Sequence, residues 1–337
     1  MNEDVMNLQY TTIKDPLPNF IYEGLKEYSS GANIYRPQPV VLIEKLATRL
    51  NIPKEYLFLT AGADEGIQLF AKTYGQNAFV FTPTYTVYQD VEEFGGKLTR
   101  IYSIKDNNFI INTALIDGAT LVYLANPNNP SGVTSKEQVM ELVTNNKKAI
   151  VVIDEAYGEF SNLSVVDQVI NNPNMVVLRS FSKSYSMAGN RIGFIVANPK
   201  ILDIVKNKTQ WANISYLSVG AAIVALDHEE YFKNLRDEIN KRREDFASFL
   251  KSLGFVVLPS NINAVLLKFT SEDKGTSFFK YLEKNNIIAS HGNGASNMGL
   301  DKSFVRIAIG NSIQMEKVKE VISLFKKISR GINLGRD

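Results

Sequence analysis

Between residues 55 and 200 the chain alternates short, β-rich apolar runs with amphipathic stretches, and this alternation restricts the fold more than any other feature. The runs are Ala78–Phe81, Thr120–Leu124, Ala149–Ile153, Met175–Leu178 and Ile192–Val196. Between them, Asp64–Tyr74, Tyr85–Phe94 and Lys136–Asn145 read as helices. Strands separated by helices of this length build an α/β fold, a mostly parallel sheet covered by helices on both faces. Ligands in such sheets bind beyond the carboxyl ends of the strands, where loops converge.

After Pro199 the texture changes. Residues 200–251 are strongly helical, and one long helix across 215–251 is expected as a connector. Shorter strands follow at Val256–Leu258, Ala264–Phe269 and Phe304–Ile309, with helices at Gly275–Lys284 and Ser312–Ser329. This pattern reads as a smaller α+β domain. The expected organisation is an N-terminal segment, 1–30, packing on the small domain, a large domain, 31–225, and a small C-terminal domain, 226–337.

The composition excludes several classes of function. Net charge is +2, from 37 basic against 35 acidic side chains, so no strong field exists for nucleic acid or an anionic membrane. There is no cysteine, which removes disulfides, thiolate nucleophiles and thiolate metal sites. No apolar run approaches the ~18 residues that span a bilayer. The start, MNEDVMNLQY, lacks the basic-then-apolar pattern of a secretory signal, so a cytoplasmic location is expected. The two histidines, His228 and His291, lie far apart without carboxylates at metal-ligand spacing; both read as surface or structural residues, and no metal site is expected.

Four clusters carry chemistry. In Arg179-Ser-Phe-Ser-Lys183-Ser-Tyr-Ser-Met-Ala-Gly-Asn-Arg191, a lysine follows a buried strand among hydroxyls, and an arginine trails it by eight residues. Lysine forms imines once its charge is relieved, while Ser180, Ser182 and Arg191 together suit a phosphate. The strand Val151–Ile153 delivers Asp154, followed by Glu155, Ala156 and Tyr157. A carboxylate buried there needs a cationic partner, for which a protonated pyridine nitrogen would serve. Four apolar residues before Asp-Glu also fit the second motif of an ATPase, but that reading requires a G-x-x-x-x-G-K-[ST] loop. The lone Gly-Lys pair, Gly96-Lys97, has Val91 and Leu98 where glycine and Ser/Thr belong, and the ATPase reading fails. The third cluster, Asn126-Pro-Asn-Asn129-Pro130-Ser-Gly132, is a rigid turn able to present an asparagine to a ligand. The fourth, Thr60-Ala-Gly62-Ala63-Asp64-Glu65-Gly66, opens a helix whose free N–H groups suit phosphate, with both acids in the first turn.

In chain order these clusters resemble the fold-type I pyridoxal-phosphate enzymes, the aspartate-aminotransferase superfamily, over nearly the whole chain. GADEG at 62–66, PTYTVY at 83–88, NPNNPSG at 126–132, DEAYGEF at 154–160 and SFSKSYSMAGNRIG at 180–193 are most similar to histidinol-phosphate aminotransferases. NISYLS at 213–218 and VRIAIG at 305–310 extend the match. The resemblance implies pyridoxal 5'-phosphate held by Lys183 as an imine, with Lys183 later acting as the base. It implies Asp154 on the pyridine nitrogen, Asn129 and Tyr157 on the ring oxygen, and Tyr85 stacked on the ring. The cofactor phosphate would meet Ala63, Asp64 and Glu65 at the helix start, with Ser180, Ser182 and Arg191. Tyr35 would reach the phosphate of a neighbouring subunit, implying a homodimer with shared active sites. Arg306 would bind the anionic end of the substrate, with Asn129 and Tyr10 beside it. The implied reaction transfers an amino group between an amino substrate, histidinol phosphate foremost, and a 2-oxo acid such as 2-oxoglutarate. An aromatic or other L-amino acid as substrate, and a decarboxylase of the threonine-phosphate type, share these motifs. A regulator domain that binds the cofactor without turnover is disfavoured by the complete residue set.

Two departures bear on the substrate. Leu8-Gln-Tyr10-Thr-Thr-Ile-Lys-Asp-Pro16 lacks the earlier tyrosine and the Asn-Glu pair of the family's N-terminal stretch. An arginine expected after Asn286-Ile-Ile-Ala falls at Ser290. His291, Lys14 and Tyr10 are the candidates to compensate. The glycine-rich Gly292–Gly299 lacks the third glycine of a dinucleotide fingerprint, at Asn297, and reads as a flexible loop near the substrate entrance.

Overall fold

The computed structural model describes residues 5–294 and 296–329. Residues 1–4, Ala295 and 330–337, which the expected N-terminal segment, glycine-rich loop and small domain include, lie outside the described residues. Seven strands form the main sheet in the order Leu57–Thr60, Gly193–Ala197, Met175–Ser180, Ile150–Asp154, Leu121–Ala125, Asn77–Thr82, Lys97–Tyr102. Gly193–Ala197 runs antiparallel to both neighbours and the remaining ladders are parallel, so the expected mostly parallel α/β sheet is present.

Successive side chains of a strand face opposite ways, and here both faces are dry. Val122, Leu124, Val151, Ile153, Val177 and Val196 enter one core, while Leu121, Tyr123, Val152, Val176, Leu178 and Ile195 enter another. The helix Ala63–Tyr74 seals the second core with Ile67, Phe70 and Ala71. The helices Lys136–Asn145 and Tyr216–Asp227 contribute to the first. Lys136–Asn145 begins where expected because Ser135 and Gln138 cap its start reciprocally.

Three expectations are corrected. The single helix expected across 215–251 is two, Tyr216–Asp227 and Glu229–Ser252. His228 leaves helical geometry at φ −111°, ψ 35°, pairs its Nδ1 with the Val224 carbonyl and stacks on Phe20, while Glu229 and Glu230 open the next helix. The helix expected at Tyr85–Phe94 begins as a strand, Thr84–Tyr85, and becomes helical only at Thr86, because Thr84–Tyr85 pairs with Asn297–Met298. That pairing also makes Asn297–Met298 an anchored strap, with Asn297 buried, where a flexible loop was expected.

A second sheet, antiparallel, runs Val256–Leu258, Ala264–Lys268, Phe304–Ala308, Ser290–His291. The N-terminal segment divides its contacts. Met6–Asn7 pairs with Ile287–Ile288, and the Ala308 N–H donates to the Leu8 carbonyl at 2.9 Å. The helix Asn19–Ser29 instead lies on Tyr216–Asp227, where a Cβ at Gly24 would collide with Val224 and one at Gly220 with Tyr28.

A buried charge cluster ties the turn after Asp154 to the turn after Ser180. Arg179 meets Glu155 at 2.8 Å and Glu159 at 2.6 Å, and the Ser184 hydroxyl, next to Lys183, donates to Glu159 at 2.6 Å. Burial opposes the charge on Arg179, yet the two carboxylates hold its pKa above the usual value. Removing one member of such a cluster leaves an uncompensated buried charge, a loss of about 3–5 kcal/mol. Arg179→Met, which strands two buried carboxylates, is expected to lower unfolding free energy by about that amount. Urea denaturation checks this, and a change below about 1 kcal/mol would contradict it.

Candidate active site

The parallel strands end along one edge of the main sheet, and their following loops enclose a cleft of about 270 Å³, near the lower end of small-molecule sites (roughly 300–1,000 Å³). The cleft gathers Tyr10, Ala63, Asp64, Tyr85, Asn129, Asp154, Tyr157, Ser180, Ser182, Lys183 and Arg191, all expected from the sequence. They come from strand ends, from the loops and helix starts that follow them and, for Tyr10, from the N-terminal segment. Only the folded sheet brings them together.

Asp154 forms the floor. Its carboxylate accepts from the Tyr88 hydroxyl at 2.7 Å and the Ala156 N–H at 2.9 Å, and no ion pair reaches it among the described residues. Burial raises its pKa from 3.8 to about 6, against the pull of those two hydrogen bonds. Tyr88 itself is driven well above the usual phenol range by burial and by Asp154. Lys183 Nζ stands on the wall, donating to Thr11 Oγ1 at 3.1 Å, and Thr11 Oγ1 shares a 2.6 Å hydrogen bond with the Tyr157 hydroxyl. Thr11 thereby ties the lysine to the tyrosine.

At the other end, Arg191 pairs with Asp64 at 2.9 Å and reaches Ser182 Oγ at 3.4 Å. Asp64 in turn accepts from the Tyr85 hydroxyl at 3.1 Å. Gly62 sits at φ +85°, so the backbone favours glycine, and a Cβ there would lie 2.6 Å from Arg191 Nη2 and push the guanidinium aside. An anion entering this end meets the helix N–H groups and must share Arg191 with Asp64.

Three expected residues stand outside the cleft lining. Glu65 turns away: its carboxylate is engaged by the Ala61 N–H, the Thr209 hydroxyl and Asn213 Nδ2, so it braces the loop before the helix. Tyr35 is 79% exposed and lies against Trp211, with ring centroids 5.8 Å apart. Arg306 is fully buried one hydrogen bond behind the lining, donating to Asn129 Oδ1 at 2.6 Å, to Asn297 Oδ1 at 2.9 Å and to the Gln9 carbonyl. Burial lowers its pKa to about 10.

Sequence reading missed Tyr88, Thr11 and Asn297. Tyr88 ends the quoted PTYTVY and could have been found from its three-residue offset to Tyr85 in a turn that becomes helical. Nothing local marks Thr11 or Asn297, which reach the site from distant segments.

The donor set fits pyridoxal phosphate: a buried carboxylate without a cation on the floor, a lysine on the wall, and an arginine with hydroxyls at a helix start. A mostly parallel sheet with a lysine and an aspartate at such strand ends defines an enzyme of the aspartate-aminotransferase fold. The family model for aminotransferase class I and II matches residues 3–325. The chain belongs to that family, and is a pyridoxal-phosphate-dependent transaminase. It is similar to the histidinol-phosphate aminotransferase of Thermotoga maritima, at 31% identity over 319 residues, covering 92% of this chain and 91% of the relative. Among solved structures, the histidinol-phosphate aminotransferase of Clostridium acetobutylicum superposes with TM-score 0.87 at 25% identity, covering 96% of this chain and 100% of the other. The L-threonine-O-3-phosphate decarboxylase of Porphyromonas gingivalis superposes with TM-score 0.84 at 24% identity, covering 95% and 99%, a likeness of fold.

Protein stripped of the cofactor should register the strain on Asp154. An acid with a raised folded-state pKa binds its proton more tightly when folded. Its contribution to stability is therefore full below pH 3.8 and is lost as pH rises through about 6. The loss amounts to roughly 3 kcal/mol at 1.36 kcal/mol per pH unit. Urea unfolding of the stripped protein from pH 4 to 7.5 should show this decline, and Asp154→Asn should flatten it. Parallel profiles for the two proteins would refute the assignment.

Proposed function

We propose that the chain transfers the amino group of histidinol phosphate to a 2-oxo acid such as 2-oxoglutarate, in the cytoplasm, as a homodimer with shared active sites. The observation that carries the reading is the cleft that sets Lys183, Asp154, Tyr157 and Asn129 around one cofactor-sized space, in a chain whose curated relatives carry the histidinol-phosphate name. Functionally, residues 31–225 would hold the cofactor, 226–337 would form the small domain, and 1–30 would serve it, a division supported by the pairing of Met6–Asn7 with Ile287–Ile288.

Pyridoxal phosphate, when bound, supplies the carbonyl that captures the substrate amine and a cationic ring that draws electrons from its Cα. Lys183 would hold the cofactor covalently and, once released by the substrate, its Nζ would lift the proton from Cα. Thr11 and Tyr157 keep that nitrogen and the phenol on the same wall. Asp154 would keep the ring nitrogen protonated, and the Tyr85 ring would cover one face. Arg306 fixes the amide of Asn129 by taking Oδ1, which leaves Nδ2 as the donor for the cofactor's ring oxygen. Ala63, Asp64, Ser180, Ser182 and Arg191 would hold the cofactor phosphate, with Tyr35 of each subunit reaching its partner. The exposed Ile34, Tyr35, Val40, Val41 and Trp211 support an apolar subunit contact.

A second reading has one observation in its favour. Ser290 offers no cation: its hydroxyl donates to the Gly294 carbonyl at 2.7 Å and accepts from Asn297 Nδ2 at 2.9 Å. An L-amino acid carries no phosphate and would need no second cation there.

Mixing the holoenzyme with histidinol phosphate, phenylalanine, tyrosine, aspartate or threonine phosphate, each in a single half-reaction, separates these readings. Histidinol phosphate is expected to convert the cofactor from its aldehyde to its amine form, seen by absorbance, and Lys183→Ala to slow this by at least about 10²-fold. Conversion by an α-amino acid alone would replace the proposed substrate, and release of carbon dioxide from threonine phosphate would replace the reaction.

A further inference from the structure

The substrate phosphate of the proposed reaction needs a cation that Ser290 does not supply. Arg306 already donates to three protein oxygens. His291 is turned away: its ring stacks on Phe279 with centroids 4.6 Å apart, and Nε2 pairs with the Lys302 carbonyl at 2.9 Å. Arg191 is paired with Asp64 at the opposite end of the cleft.

Lys14 differs from all of these. It is half-buried, and its Nζ donates to Thr12 Oγ1 at 2.7 Å, while Thr12 itself lines the cleft beside Tyr10 and Thr11. No acidic side chain pairs with Lys14 among the described residues. An ammonium has three donors, so two remain for a ligand. Lys183 stands close enough on the same wall to repel it, and burial and then that repulsion lower the Lys14 pKa. In the loaded enzyme Lys183 is taken up by the cofactor, so Lys14 remains as the cation on this side of the cleft for an incoming anion. The segment carrying Lys14 is fixed from both sides, since Thr11 bonds Tyr157 and Lys183 through its hydroxyl, and its carbonyl accepts from Asn263 Nδ2 at 3.0 Å.

We propose that Lys14, with the hydroxyls of Thr12 and Tyr10, forms a distal anion subsite that receives the phosphomonoester of the substrate in place of an arginine at Ser290. The proposal rests on the reading of histidinol phosphate as the amino substrate and names the residue that selects it. Lys14 reaches the anion from the N-terminal segment, whereas Ser290 approaches from the small-domain sheet. The cation therefore comes from a different segment of the chain.

The test compares binding of histidinol phosphate and histidinol, which differ by the phosphate alone, to the holoenzyme and its Lys14→Met and Lys14→Arg variants. Losing one charge-assisted contact should raise the dissociation constant for histidinol phosphate by about ten- to a hundredfold in Lys14→Met. The constant for histidinol should move less than about threefold, and Lys14→Arg should retain most of the discrimination. A wild-type enzyme that binds both compounds equally overturns the subsite, as does a Lys14→Met variant that weakens both alike or neither. Preferential binding of histidinol phosphate without its conversion would sink the proposed reaction and leave the subsite standing.

Discussion

Asp154 ends a strand that is buried from Val151 onward, and its carboxylate lies in the floor of the cleft with only a phenol and an N–H for company. Two such donors do not offset the loss of water around a charge, which is why its pKa climbs. The surrounding architecture is consistent with an incoming cation. Tyr88 holds one oxygen, the Asn126 N–H ties the next strand end to the Asp154 carbonyl at 2.9 Å, and the adjacent strand carries Lys183 into reach. A carboxylate at this depth serves chemistry better than stability.

The position of Lys183 follows from a second buried arrangement. Arg179, at the end of the neighbouring strand, is gripped by Glu155 and Glu159 from the turn that follows Asp154. Ser184 joins Glu159, so the residues just after Asp154 and just after Lys183 share one ionic cluster. Acid and lysine are therefore held at a fixed separation by charges that never enter the cleft. The N-terminal segment closes the wall through Thr11, and the Asn297 strap couples Tyr85 to Arg306.

The substrate end obeys a different logic. Arg306 sits in a strand of the antiparallel sheet and faces Ser290 across it. Ser290 orients Asn297, and Asn297 accepts from Arg306, so the position where a cation was expected instead aims the arginine that remains. The cation assigned to the substrate phosphate, Lys14, lies in a segment with no regular secondary structure, 10–18, whose course depends on pairing with the small sheet and on Asn263.

Much of this was legible before folding. The continuous apolar runs and their spacing between amphipathic stretches announced the parallel sheet, because a strand buried on both faces must be apolar throughout. Lys183, Asp154, Asn129 and the Gly62 turn were legible because a strand end and its loop carry them in a few consecutive residues. The bracing contacts of the Glu65 carboxylate were not legible, because an acid in a first helical turn looks the same whether it faces outward or braces its own loop, and the stacking of His228 at the helix break involves Phe20, some 200 residues away. Thr11, Asn297 and Lys14 acquire their positions only when the N-terminal segment and the strap meet the cleft. By itself, the sequence determined the sheet and the cofactor-facing residues, since both follow from local order along strands and turns. Tertiary structure alone decided which cations face the substrate, since burial and pairing are set by segments that are remote in the chain.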